Sequence, residues 1–366
     1  MISKRSRTID TSGIRKVFDL AGKLSNPINL SIGQPDFDVP EKIKEAAIAA
    51  IANGKNGYTQ TQGINPLIEL VLLQNNAAGR ADLDACISSG VSGALNLVYM
   101  ALLDPGDEIL IPDPFFGAYR DLAFLINAVP TYYDTYPDFS LRAESIEKGI
   151  SERTKAIVIC SPSNPTGAVA SKEELEAIVA LARKHDLWII SDEIYSSFIY
   201  ETQFCSALSM WDKVIVLGGF SKAFGMTGWR VGFAIGPKPL IEAVRKLQQY
   251  TFVCAPQPFQ WAALACTDVD TDLIRDNYKN KRDLISSLLV SEFKFQPPQG
   301  AFYLFPEAPG GNGQKFVERC VEKGLLVVPG HVFSRQDTHF RISFAASEET
   351  LRRGAEVLLE VARGSE

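Results

Sequence analysis

Ser221-Lys222-Ala223-Phe224-Gly225-Met226-Thr227-Gly228-Trp229-Arg230-Val231-Gly232 is the stretch on which the reading of this chain turns. Its lysine follows the apolar run Val214–Leu217 and sits in a glycine-rich loop, with an arginine eight residues further on. A solitary lysine is usually a solvated surface group. Here the small neighbours let a bulky ligand approach the backbone. Lysine is also the side chain of Schiff-base chemistry, because burial or nearby charge lowers its pKa. Arg230 opens the next apolar run, Arg230–Ile235, and carries the planar fork that binds a phosphate, or else forms a surface ion pair.

Two further segments lie upstream. Ile189–Tyr195 reads I-I-S-D-E-I-Y, so Asp192 stands at the end of a buried strand, where open α/β sheets bind their ligands. Alone it reads as a capping aspartate. With the lysine segment it reads as a carboxylate that keeps a ring nitrogen protonated, with Tyr195 three residues on reaching the ring's phenolic oxygen. Ser161–Gly167 reads S-P-S-N-P-T-G after the apolar run Lys155–Cys160. Such a segment is a turn by composition, yet Asn164, held between two prolines, is placed to present its amide to a ligand.

The pattern around these segments alternates between strand and helix. Val39–Ala52 has helical spacing and stops at Asn53-Gly54; Cys86–Ser89 is strand-like, and Gly90 opens a helix through Leu102. Glu108–Pro112 and Leu187–Ser191 are further short apolar runs, and Ser171 with Glu174 forms a capping box before a helix to Lys184. This alternation predicts an α/β fold with a mostly parallel sheet covered by helices on both faces. The last hundred residues predict a smaller α+β unit: a helix over Ile274–Glu292, extended runs at Phe293–Phe295 and Gly300–Phe305, a helix over Gln314–Lys323, strands near Leu325 and Phe340, and a closing helix from Ser347. The expected division is a large domain over 41–262 and a small domain built from 1–40 and 263–366.

Composition narrows the function. The 366 residues carry 37 basic and 43 acidic side chains, a net charge of −6 with a pI near 5.4, so nucleic acid is not the expected partner. Six cysteines form no C-x-x-C pair and several sit in apolar runs, which fits reduced thiols and a cytoplasmic location. Three histidines without ligand-like spacing give no metal site. No signal peptide is read at Met1–Asp10, and no apolar stretch is long enough to span a membrane.

S-N-P-T-G, D-E-I-Y and S-K-A-F-G-M-T-G-W-R-V-G, in this order and at these separations, resemble the class I/II pyridoxal-phosphate aminotransferases of fold type I. The resemblance runs from about Asn29 to Ser347. It implies pyridoxal 5′-phosphate bound to Lys222 as a Schiff base, with the same amine moving the proton at the substrate's α-carbon. It further implies that Asp192 partners the pyridine nitrogen and that Asn164 and Tyr195 contact the phenolic oxygen. Arg230 matches the phosphate arginine, and Gly90, Val91 and Ser92 match the turn that offers backbone N–H groups to the phosphate at a helix N-terminus. Phe116, in P-F-F-G-A-Y, matches the aromatic residue stacked on the ring. Tyr58, in G-Y-T-Q-T-Q-G, matches a tyrosine that reaches the phosphate of a neighbouring subunit, which implies a homodimer with shared sites. Arg341, in F-R-I-S-F-A, matches the clamp on the substrate α-carboxylate, and Gly33, in S-I-G-Q-P-D-F, the glycine lining the substrate site.

The sequence departs from the family pattern in places. Gly219 stands where many relatives carry a hydroxyl three residues before the lysine, the segment after Tyr58 lacks a frequent arginine, and Gln74–Ala85 is short. The expected activity is transamination between an L-amino acid (neutral, aromatic or aspartate) and a 2-oxo acid. The alternative is a lyase or synthase of the same fold, such as a C–S lyase, which shares every residue named. A ligand-sensing regulator is the third reading; no helix-turn-helix pattern precedes the large domain to support it.

Overall fold

Apolar runs become strands, and the longest of them cross one large sheet with both faces covered. In the computed structural model, which describes residues 2–9, 13 and 26–364, they are β1 (Ile28–Asn29), β2 (Leu83–Ser89), β3 (Glu108–Asp113), β4 (Val129–Asp134), β5 (Thr154–Cys160), β6 (Trp188–Asp192), β7 (Val214–Gly219), β8 (Val231–Pro237), β9 (Tyr303–Leu304), β10 (Leu325–Leu326), β11 (Val328–Pro329) and β12 (Phe340–Ser343). Residues 10–12 and 14–25, part of the segment expected to join the small domain, lie outside the described residues.

Seven strands form one sheet in the order β2-β8-β7-β6-β5-β3-β4. Every pair among β4, β3, β5, β6 and β7 is parallel, while β8 runs antiparallel to both its neighbours. The register sets the site. Cys160 pairs with Asp192 and Asp192 with Leu217, so the carboxyl ends of β5, β6 and β7 fall in one row. Because β8 is antiparallel, its amino end returns to that row, with Gly219 opposite Gly232, and the end of β2 joins it with Ser89 opposite Val231.

Alternate residues of the strands feed two cores. Ala156, Val158, Ile190 and Ile215 face the helix Gly90–Leu102, which buries Ala94, Leu95, Leu97 and Val98. Ile157, Ile159, Ile189 and Val216 face the other way, toward Leu175, Ile178 and Ala182 of the helix Lys172–Lys184. That helix begins at a complete capping box, Ser171 with Glu174, which stabilises it by about 1 kcal/mol.

A third core gathers the C-terminal elements. The helices Thr271–Leu289, Gly313–Glu322 and Glu348–Arg363 pack around a short antiparallel sheet, β11-β12-β9, and β10 pairs in parallel with β1. Two of the runs noted beyond the helix Thr271–Leu289 form little or no sheet. Phe293–Phe295 forms no strand; Phe293 packs its ring edge-on against Phe316 and Phe340. Gly300–Phe305 contracts to β9. In both, aromatic packing rather than ladder pairing uses the apolar side chains.

Candidate active site

The loop between β7 and β8 carries Lys222 across the row of strand ends. Its Nζ donates a hydrogen bond to the Gly33 carbonyl at 2.6 Å. Its pKa is lowered to about 8, first by burial and then by the positive charges of Arg341 and Arg230, with Asp192 opposing. An amine so placed is largely deprotonated above pH 8 and is a usable nucleophile and base.

Asp192, at the end of β6, is only 4% exposed. Burial raises its pKa. The Tyr119 hydroxyl donates to Oδ2 at 2.7 Å and the Ile194 N–H donates to Oδ1 at 3.2 Å, both favouring the carboxylate. Tyr119 belongs to the helix Ala118–Leu125, and its ring meets that of Phe116 edge-on at 5.7 Å.

Arg341, on β12, is 1% exposed and lies between the rings of Tyr303 and Phe333, 4.4 and 4.5 Å from their centroids. Nη1 donates to Asn164 Oδ1 at 2.9 Å and Nη2 to the Ser31 carbonyl at 2.7 Å. Nε is buried and has no partner among the described residues. A buried guanidinium with an unused donor and no carboxylate beside it is costly unless an anion completes it. The Tyr195 and Tyr303 hydroxyls are 2.8 Å apart, and the Tyr303 hydroxyl closes over Gly33, where an added Cβ would come within 2.6 Å of it.

At the other end Arg230 adopts a left-handed backbone (φ 55°, ψ 51°). Its guanidinium donates to the Thr227 carbonyl at 3.0 Å and the Ser89 carbonyl at 3.3 Å, beside the first turn of the helix Gly90–Leu102. Gly90 leaves room for it, since a Cβ there would lie 2.5 Å from Nη2. Gly232 brings the strand against the same turn, because its Cβ would lie 2.7 Å from the Val91 nitrogen. A helix N-terminus faced by an arginine is an anion site. Gly219 has no room for a larger residue without movement: a Cβ there would be 3.0 Å from Gly232 Cα.

Gly33, Val91, Ser92, Phe116, Asn164, Asp192, Tyr195, Lys222, Arg230 and Arg341 line one cavity of about 260 Å³. Gly90 sits behind Arg230, and Tyr58 is 85% exposed and outside this cavity. The sequence reading missed Tyr119 and Tyr303, which also line it. Tyr119 stands in P-F-F-G-A-Y, three residues beyond Phe116, in the first turn of the helix Ala118–Leu125. Nothing local marks Tyr303. No group of three or more His, Cys, Asp or Glu side chains able to hold a metal occurs among the described residues.

Residues 25–358 match the family described as aminotransferase class I and II. The chain belongs to that family. Its members are pyridoxal-phosphate-dependent transaminases, and this chain is an aminotransferase by membership. A putative aminotransferase of Bacillus subtilis is 38% identical over 96% of this chain and 95% of its own length. A probable aspartate aminotransferase of Methanocaldococcus jannaschii is 36% identical over 99% of this chain and 100% of its own length. The aspartate aminotransferase of Thermus thermophilus, solved with maleate, superimposes with a TM-score of 0.93 at 34% identity, covering 99% of both chains. The aminotransferase fold, with its mostly parallel seven-stranded sheet flanked by helices, is thus present in full.

Proposed function

We propose that this aminotransferase binds pyridoxal 5′-phosphate in the cavity around Lys222 and transfers an amino group between an L-amino acid and a 2-oxo acid. The observation that carries the reading is the placement of a lysine of lowered pKa between a buried carboxylate and two arginines in one cavity. The residues fit the cofactor. Arg230 and the N-terminus of the helix Gly90–Leu102 suit its phosphate, and Ser92, Ser221 and Thr227 line the same cavity. Asp192 suits the ring nitrogen, Phe116 the ring face, and Asn164 and Tyr195 the phenolic oxygen. The unpartnered Arg341 Nε suits a carboxylate.

When bound, the cofactor supplies an electron sink that acidifies the proton on the donor's α-carbon. Lys222 Nζ is the group that takes that proton and returns it. Asp192 holds the ring-nitrogen proton, which requires the carboxylate to stay charged against its burial. Arg341 and Asn164 orient the donor by its α-carboxylate. Tyr303 and Phe333 shield the guanidinium from water and so strengthen its grip on an anion.

Tyr58 supports a homodimer. A tyrosine 85% exposed on this protomer is free to complete a neighbour's site. The donor is a neutral or aromatic amino acid or aspartate; relatives named aspartate and aromatic-amino-acid aminotransferases support this range. A panel of amino donors assayed against 2-oxoglutarate and pyruvate tests the reading. Amino transfer to either acceptor supports it. Acceptor-independent release of homocysteine from cystathionine or of sulfide from cysteine, with no transfer, would assign the chain to the lyase alternative.

A further inference from the structure

Asp36 lies three residues beyond Gly33 in S-I-G-Q-P-D-F and takes no part in the chemistry above. Between Ser31 and Asp38 the chain forms neither helix nor strand, so few of its own bonds fix it. Yet its Gly33 carbonyl accepts from Lys222, and Gly33 lines the same cavity as Arg341.

The missing restraint comes from the helix Thr271–Leu289. Lys281 Nζ donates to Asp36 Oδ2, and the Tyr278 hydroxyl donates to Oδ1 at 2.8 Å and accepts from the Asp36 N–H at 3.2 Å. Tyr278 and Lys281, three residues apart, share one helix face. Tyr278 is fully buried and Lys281 is 7% exposed, so this contact is shielded from solvent at the helix side. On the other side the 37–38 backbone rests on the lysine loop, where a Cβ at Gly225 would lie 3.1 Å from the Phe37 carbonyl oxygen. The same tyrosine stacks on Phe302 at 5.5 Å, and Phe302 meets Tyr195 edge-on at 5.4 Å. One helix face therefore fixes both the Gly33 segment and the aromatic wall opposite it.

We propose that Lys281 is a positioning residue for the substrate site: through Asp36 and Tyr278 it holds residues 33–36 so that Gly33 forms the wall beside Arg341. A charge is needed at position 281 because a bond to Asp36 made by an ammonium is stronger than a neutral one, and removing one partner leaves the other uncompensated. The proposal rests on the reading of Gly33 and Arg341 as the carboxylate end of the site.

Lys281→Met in the full-length holoenzyme tests it. Misplacing a binding wall weakens substrate binding with the chemical groups intact, so KM for donor and for 2-oxo acid rises roughly 10-fold while kcat changes less than about 3-fold. Asp36→Asn gives the same pattern without altering the helix, which covers poor folding of the lysine variant. The double variant is no worse than either single, because the two side chains act as one contact. Amide exchange in residues 33–38 quickens in all three. Unchanged KM, a fall in kcat alone, or KM effects that multiply in the double variant would overturn the proposal. Arg341→Lys is assayed alongside. If its KM is also unmoved, the carboxylate reading itself fails; if it moves while Lys281→Met does not, only the positioning role is lost.

Discussion

Tyr119 Oη lies 2.7 Å from Asp192 Oδ2, and both residues are buried. The phenol donates, so it stabilises the carboxylate against the burial that raises its pKa. A hydrogen bond to a charged group is worth about 1.5–3 kcal/mol. Tyr119→Phe should therefore weaken cofactor binding to the apoenzyme by about 10- to 100-fold. The variant's Asp192 pKa rises further, so its activity should fall off at a higher pH on the acid side than that of the parent enzyme. Titration of apoenzyme with pyridoxal phosphate and a pH profile check both; an unmoved acid limb would leave Tyr119 a packing residue.

Asp192→Asn goes further than the loss of one donor. An amide cannot hold the ring-nitrogen proton, so transamination should be nearly abolished while the cofactor still binds. Near-parental turnover would remove Asp192 from its role.

Lys222 should carry the cofactor, and borohydride reduction followed by peptide mapping should place the label there. The free amine titrates near 8, below the ordinary lysine value, because burial disfavours its charged form. It is neutral above that pH, so the rate of cofactor uptake by apoenzyme should rise with pH and level off above about 8. A rate still climbing toward pH 10 would contradict the lowered pKa. The sign for stability follows. The folded state binds fewer protons than the unfolded state between 8 and 10.5, so the penalty of the buried charge is full below 8 and is relieved as pH rises through that window.

Arg341→Lys keeps the charge and loses the fork. A charge-assisted bidentate contact is worth roughly 2–4 kcal/mol after allowing for non-additivity, so kcat/KM should fall on the order of 30- to 1,000-fold. The loss should be equal for chemically different donors, since all share the α-carboxylate. The absorbance of the resting enzyme should hardly change. A loss confined to one donor would mean that Arg341 reads the side chain instead.

Tyr58→Phe should weaken cofactor binding only if the site is shared between protomers. Sedimentation should give a dimer, and mixing Tyr58→Phe with an inactive Lys222→Ala protomer should yield hybrid dimers in which one site pairs a parental lysine with a parental tyrosine and recovers parental cofactor affinity, while the other site has neither. A fully active monomer would exclude Tyr58 from the site.

Much of this architecture was legible because strands and their flanking turns are local. The run Lys155–Cys160, the capping box at Ser171 and the helix opening at Gly90 carry their signals within a few residues. Arg341 and Gly33 came from resemblance, since their meeting depends on β12 and an irregular segment far apart in the chain. Tyr303 and Lys281 were not legible. Each matters through a contact made across more than a hundred residues, Tyr303 with Tyr195 and Lys281 with Asp36. At Phe293–Phe295 an aromatic-rich run reads the same whether it pairs in a ladder or, as here, packs ring against ring.

The antiparallel return of β8 has a bearing on how this enzyme tolerates change. Lys222 and Arg230 are tied by a single short loop whose two ends are pinned opposite each other, Gly219 against Gly232. Their separation is therefore a property of that loop alone. Asp192, by contrast, ends β6 and takes its place from the sheet, and Asn164 follows β5, the parallel strand beside it. Inserting or deleting one residue between 220 and 230 should shift the amine relative to the phosphate arginine while leaving the sheet pairing intact, at a cost in melting temperature set by the buried Phe220, Ala223 and Met226. Random indel libraries would then show a gap: folded, soluble variants lacking cofactor, concentrated within eleven positions.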